Sequence, residues 1–219
     1  MSPIKQILMA AAMLTAFLAP AAPAVAQHTE HTVIAQAPAA AKVGETAAAL
    51  RDLWVGHVFW VRNVVVDTVA ANKEGAAAAE KEVVANAKRI AAAIEPYYGK
   101  EASDKLFGLL AGHYGTVKEY LEASVAGNAA RQDAALKNLT GNAAEIAKFL
   151  SAANPNLPFD TLNGLLLAHG GHHVQEIRQL QNKQYAEEAQ TWEAMRQHMY
   201  VIADALAGAI AKQFPAKFS

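Results

Sequence analysis

Leu53-Trp54-Val55-Gly56-His57, Leu109-Leu110-Ala111-Gly112-His113 and Leu165-Leu166-Leu167-Ala168-His169 are three versions of one pentapeptide, set 56 residues apart. Each histidine is followed 29 residues later by a second polar residue: Asn86, Asn142 and His198. Four residues beyond these stand Ile90, Ile146 and Ile202, each followed by alanine, and eight beyond stand Ile94, Leu150 and Leu206. A register shared by so many landmarks is the mark of an internal repeat.

The spacing within each copy is helical. Leu50, Leu53, His57, Trp60, Val61 and Val64 recur at three- and four-residue steps, which places them on one helix face. The second copy repeats this with Leu106, Leu109, Leu110, His113, Val117 and Leu121. The third has Leu162, Leu165, Leu166, His169, His173, Glu176 and Leu180. A last stripe runs through Met195, His198, Ile202 and Leu206. Breaker residues fall between the stripes: Asn72 to Gly75, Pro96 with Gly99, Gly127-Asn128, and Asn154-Pro155-Asn156 with Pro158. The pattern predicts first helices over 47–71, 103–126 and 160–183, and second helices over 76–95, 129–152 and 187–213. Ser103 and Asp160 suit N-cap positions. The expected fold is all-α, a six-helix bundle of three antiparallel αα-hairpins (about 47–102, 103–158 and 159–219) in one domain, 47–219, either a closed bundle or a short solenoid.

Composition agrees. Of 219 residues, 51 are alanine, and alanine loses no side-chain entropy in a helix. The formal charge of −1 offers no electrostatic footprint for nucleic acid. Cysteine is absent, which excludes disulfides, thiolate zinc sites, iron–sulfur clusters and covalent c-type haem.

Residues 1–26 read as a secretory signal. Lys5 is the only charge, Ile7 to Leu18 are apolar, and Ala24-Val25-Ala26 fits a cleavage site. The apolar run is too short to span ~30 Å of hydrocarbon, and Pro20 and Pro23 break it. Cleavage after Ala26 leaves a periplasmic or secreted protein with no stable membrane insertion. Residues 27–46, without sustained periodicity and with Pro38 and Gly44, read as a flexible leader.

The histidines fall on the stripes that face the core. An apolar core excludes polar groups unless they are paired, and imidazole is the commonest protein metal ligand. His57, His113, His169 and His198 are therefore candidate metal ligands, with His173 and Glu176 beside them and Asn86 and Asn142 placed to hold the ligand rings. Such a set suits Zn, Cu, Ni or Fe, or a non-covalent haem. His172 reads either as a ligand or as part of a solvated face. Glu-x-x-His pairs, which a di-iron bundle would carry, are absent. Arg62 and Arg178 are placed to pair with carboxylates such as Glu176 or Asp204.

Leu53-Trp54-x-x-His57-x-x-Trp60-x-Arg62, Asn142-Ala143-x-x-Ile146-Ala147-x-Phe149-Leu150 and Ala203-Asp204-x-Leu206-x-Gly208-x-Ile210-x-x-Gln213-Phe214-Pro215-x-x-Phe218 resemble motifs of an uncharacterised family of helical proteins in bacteria and archaea. The resemblance covers about 47–218 and includes one histidine per unit with the asparagine that follows. It implies the helical fold and carries no activity. His172-His173 departs from the pattern, whereas Glu176 fits it. No nucleophile elbow, P-loop or dinucleotide fingerprint is present. The expected function is metal or small-ligand binding for sequestration, transport or sensing. The alternatives are a structural or partner-binding bundle with hydrogen-bonded core histidines, and a metal-dependent oxidoreductase.

Overall fold

Helix α1 spans Gln36–Val69, α2 Lys73–Val125, α3 Ala129–Ala153, α4 Phe159–Gln181 and α5 Tyr185–Gln213, and a 3-10 turn follows at Pro215–Lys217. This computed structural model describes residues 36–219, so the signal segment, its cleavage site and leader residues 27–35 lie outside the described residues. No helix among the described residues is long and apolar enough to cross a membrane.

Two expectations change. Residues 36–46, read as leader, belong to α1. Pro38 lies in the first turn, where its missing N–H costs nothing, and the alanines on either side of Gly44 favour helix. The described residues also form five helices rather than six, because the join expected at Pro96–Gly99 is a kink inside α2. Only Gly99 leaves helical geometry, at φ 83° and ψ 170°, a conformation open to glycine and costly for other residues. The kink turns the chain back on itself. Ser103 Oγ donates to the Ala91 carbonyl at 2.9 Å, whereas residues twelve apart in a straight helix stand about 18 Å apart. Ser103 is therefore a buried clasp across the kink and not an N-cap.

Three turns share one construction. Ala71, Gly127 and Lys183 each take a positive φ, at 59°, 63° and 57°. The next amide in each case reaches back to a helix carbonyl: Asn72 to Asp67, Asn128 to Ala123 and Gln184 to Gln179, at 2.8–2.9 Å. These 6→1 bonds close the preceding helix as a Schellman motif. The next helix then starts, with Asn72 accepting from the Gly75 amide and Asn128 from the Arg131 amide. Gln184 makes no such side-chain cap.

Each helix packs against its neighbours in the chain, and α1 also packs against α5, which closes the bundle and excludes the open solenoid. α4 additionally touches α1 and α2. At one end Tyr98 donates to Gln213, Asn154 donates to the Tyr98 oxygen, and Gln213 donates to the Ala153 carbonyl. The apolar interior forms two clusters, one around Trp54, Ile90, Leu110, Ile146 and Leu206, the other around Val61, Val83, Tyr120, Leu139 and Ile177. Between them lies a polar layer. His57 stands between Trp54 and Val61 on α1, His113 between Leu110 and Val117 on α2, and His169 and His173 between Leu166 and Ile177 on α4.

Candidate metal centre

Because α4 lies against both α1 and α2, their histidines meet in that layer. His57, His113, His169 and His173 are at most 4% exposed. One nitrogen from each of His57, His169 and His173 lies within 4.8 Å of the other two, and among the described residues these form a group able to hold a metal ion. Their ring centroids are 5.7 Å (57–169), 6.0 Å (57–173) and 4.5 Å (169–173) apart. Imidazoles sharing a tetrahedral ion with bonds of about 2.0–2.1 Å have centroids roughly 5 Å apart, so small ring adjustments suffice. His113 stacks on His169 at 5.3 Å.

The nitrogens are poorly satisfied. Both nitrogens of His169, both of His173 and Nε2 of His113 are buried without a hydrogen-bond partner. A buried unpaired polar group costs ~1–3 kcal/mol, so five in one layer rival the ~5–15 kcal/mol net stability of a whole domain. Burial holds the rings neutral. It pushes His57 down to about 3, with His113 nearby adding to the effect, and His113 down to about 4, where the Asn142 bond works the other way. Burial, and then the surrounding imidazoles, also hold His169 and His173 well below the ordinary histidine range. A neutral ring keeps the lone pair that coordination requires.

His113 has its tautomer chosen for it. Asn142 donates its amide to the Leu109 carbonyl at 3.1 Å, which turns its oxygen toward His113 Nδ1 at 3.0 Å. Nδ1 must then carry the proton and Nε2 the lone pair, the way metal-binding imidazoles are usually held. Asn86 makes the matching bond to the Leu53 carbonyl at 3.0 Å, but its oxygen has no partner and it does not hold His57.

Glu176 is 1% exposed, its Oε2 lies 3.8 Å from His173 Nδ1, and its Oε1 lies 3.7 Å from Arg62 Nε. Burial pushes its carboxyl up to about 8, the charge of Glu188 adds to this, and Arg62 opposes it. Arg62 is committed elsewhere, since it grips Glu188 with two bonds of 2.5 and 2.8 Å. Glu188 is not among the residues expected at the site, although the stripe from Met195 extends back through Thr191 to it.

His198 does not join the group. Its Nε2 lies 2.8 Å from the Leu165 carbonyl, so it occupies the place that Asn86 and Asn142 fill elsewhere, and its ring faces His172 at 5.6 Å. The shared position fixes the backbone contact, which commits Nε2 of His198 to the Leu165 carbonyl. Asp204 and Arg178 also lie apart from the group: Asp204 pairs with Arg51, and Arg178 donates to Tyr120. Comparison with protein-family models, curated proteins and solved structures finds no match.

Proposed function

We propose that the chain is built from three copies of a helical hairpin, six helical segments in all, whose histidine-bearing segments converge to hold one transition-metal ion. His57, His169 and His173 are the ligands, His113 supplies the fourth nitrogen, and Glu176 supplies the balancing negative charge. The repeat is supported by the positive-φ turns at Ala71, Gly127 and Lys183, and by the bonds from Asn86, Asn142 and His198 to the carbonyls of Leu53, Leu109 and Leu165. Both sets keep the 56-residue register of the sequence.

The observation that carries the metal reading is the cluster of unpartnered nitrogens around His169 and His173. An ion replaces missing hydrogen bonds with coordinate bonds, and a divalent ion favours the ionised form of Glu176 beside it. An all-imidazole set with one carboxylate suits Zn, Cu, Ni or Fe. Rings 4.5–6.0 Å apart favour a bare ion over haem, whose macrocycle would have to force them apart. Near-complete burial favours holding the ion over turning over a substrate, which needs an open coordination position. Sequestration, transport or sensing follows as the role, in the periplasm if the leader directs export. A bundle with satisfied core histidines describes His113 Nδ1 and His198 well, but not His169 or His173.

The test is thermal unfolding of metal-stripped protein with and without Zn²⁺, Cu²⁺ or Ni²⁺. At 100 times its Kd an ion adds about 2.7 kcal/mol and raises Tm. His169→Ala and the gentler His169→Gln should abolish that rise. An equal rise in both variants, or none in the wild type with any of these ions, would overturn the reading.

A further inference from the structure

His172 and His198 remain outside the buried group and face each other across α4 and α5. Both are partly exposed, with ring centroids 5.6 Å apart and planes at 55°. That separation matches roughly the 5 Å expected for two imidazoles on one ion. Nε2 of His198, donating to the Leu165 carbonyl, leaves Nδ1 with the lone pair. The bond itself does not call for histidine, because Asn86 and Asn142 make it in the equivalent places. What His198 adds is a second ring nitrogen. The side chain near that ring is another imidazole, which lies on α4 between the buried His169 and His173 in the sequence. One helical turn, about 5.4 Å of rise, separates the levels of His169 and His172–His173.

We propose that His172 and His198 form an outer site that captures a divalent transition-metal ion from solvent and delivers it to the buried group. This rests on the metal reading of His57, His169 and His173. Two imidazoles with water completing the shell bind weakly and exchange quickly, as a loading site must. Holding the ion beside the inner site raises its local concentration there.

The experiment uses the mature chain, metal-stripped, with Zn²⁺ as probe, a competing chromophoric chelator for equilibrium and stopped-flow mixing for uptake. His198→Asn retains the carbonyl bond, as the other two positions do, and His172→Gln removes the facing ring. Wild type should show one tight and one weak site. Each variant should lose the weak site, keep the tight Kd within about twofold, and load at least about tenfold more slowly. Loading at the wild-type rate in both variants, or survival of the weak site, overturns the proposal. Loss of the tight site in His198→Asn also overturns it, since the pair would then belong to the inner centre. A wild type with only a weak site, removed by His198→Asn, sinks the inner reading and the delivery step while leaving a surface metal site. No binding in the wild type sinks both.

Discussion

His57 with Asn86 and His113 with Asn142 share a spacing, a helix face and an asparagine bonded to the carbonyl four residues before the histidine. They differ in what the ring does. Asn142 bonds His113, whereas the Asn86 oxygen has no partner and His57 joins the group with His169 and His173. The pair teaches that the shared spacing sets where each ring stands, while neighbours on other helices set which way it faces. The same contrast continues five residues on. Arg62 grips the buried Glu188, and its counterpart Lys118 pairs with Glu80 near the surface, both partners more than a third exposed.

The largest expected effect separates these two cations. Arg62→Ala strands Glu188, 3% exposed, and leaves Glu176 without its nearest cation, for a loss of about 3 kcal/mol in urea unfolding. Lys118→Ala should cost less than about 1 kcal/mol. Similar losses for the two would erase the distinction between the two positions.

Acid should expose the rings next. For His57 and His113, lowered to about 3 and about 4, the unfolded chain binds protons more readily below its ordinary histidine range near 6.5. Stability of the metal-free protein is thus fully present above that range and falls as pH drops toward 3–4, by a few kcal/mol overall. Unfolding curves of a Glu176→Gln variant between pH 8 and 4 check this without the opposing carboxyl, and stability that rises on acidification there would show the rings to be charged in the fold. Glu176, raised to about 8, works in the opposite direction: its share is lost as pH climbs from its ordinary range through 8.

A smaller effect sharpens the comparison at the asparagines. Asn142→Ala frees the His113 ring and should weaken Zn²⁺ binding about 10–100-fold, while Asn86→Ala should change it by less than about threefold. Nitrogen NMR of the metal-free protein should show His113 as the Nδ1–H tautomer. Equal effects of the two substitutions would mean that His113 is not a ligand.

The positions of the histidines were legible because helical spacing and the 56-residue register are both properties of the chain alone. The ends expected for the first helices, at 71, 126 and 183, fall at the turns of Ala71, Gly127 and Lys183. Pro96 and Gly99 marked a real change of direction, but Gly99 alone leaves helical geometry there, so a loop was expected where α2 kinks. Glu188 was hidden because a carboxylate at the start of an apolar stripe looks like a solvated first turn until Arg62 arrives from α1. The position of His198 was clear, but its role was not: a backbone carbonyl on another helix claims its Nε2.

X-ray absorption at the zinc edge of protein loaded with one equivalent of Zn²⁺ tests the central claim most directly. The expected spectrum has three to four imidazole nitrogens at about 2.0–2.1 Å, and His57→Gln removes one of them. A shell made only of water and carboxylate oxygens, unchanged by His57→Gln, would place the ion elsewhere and contradict a buried histidine centre.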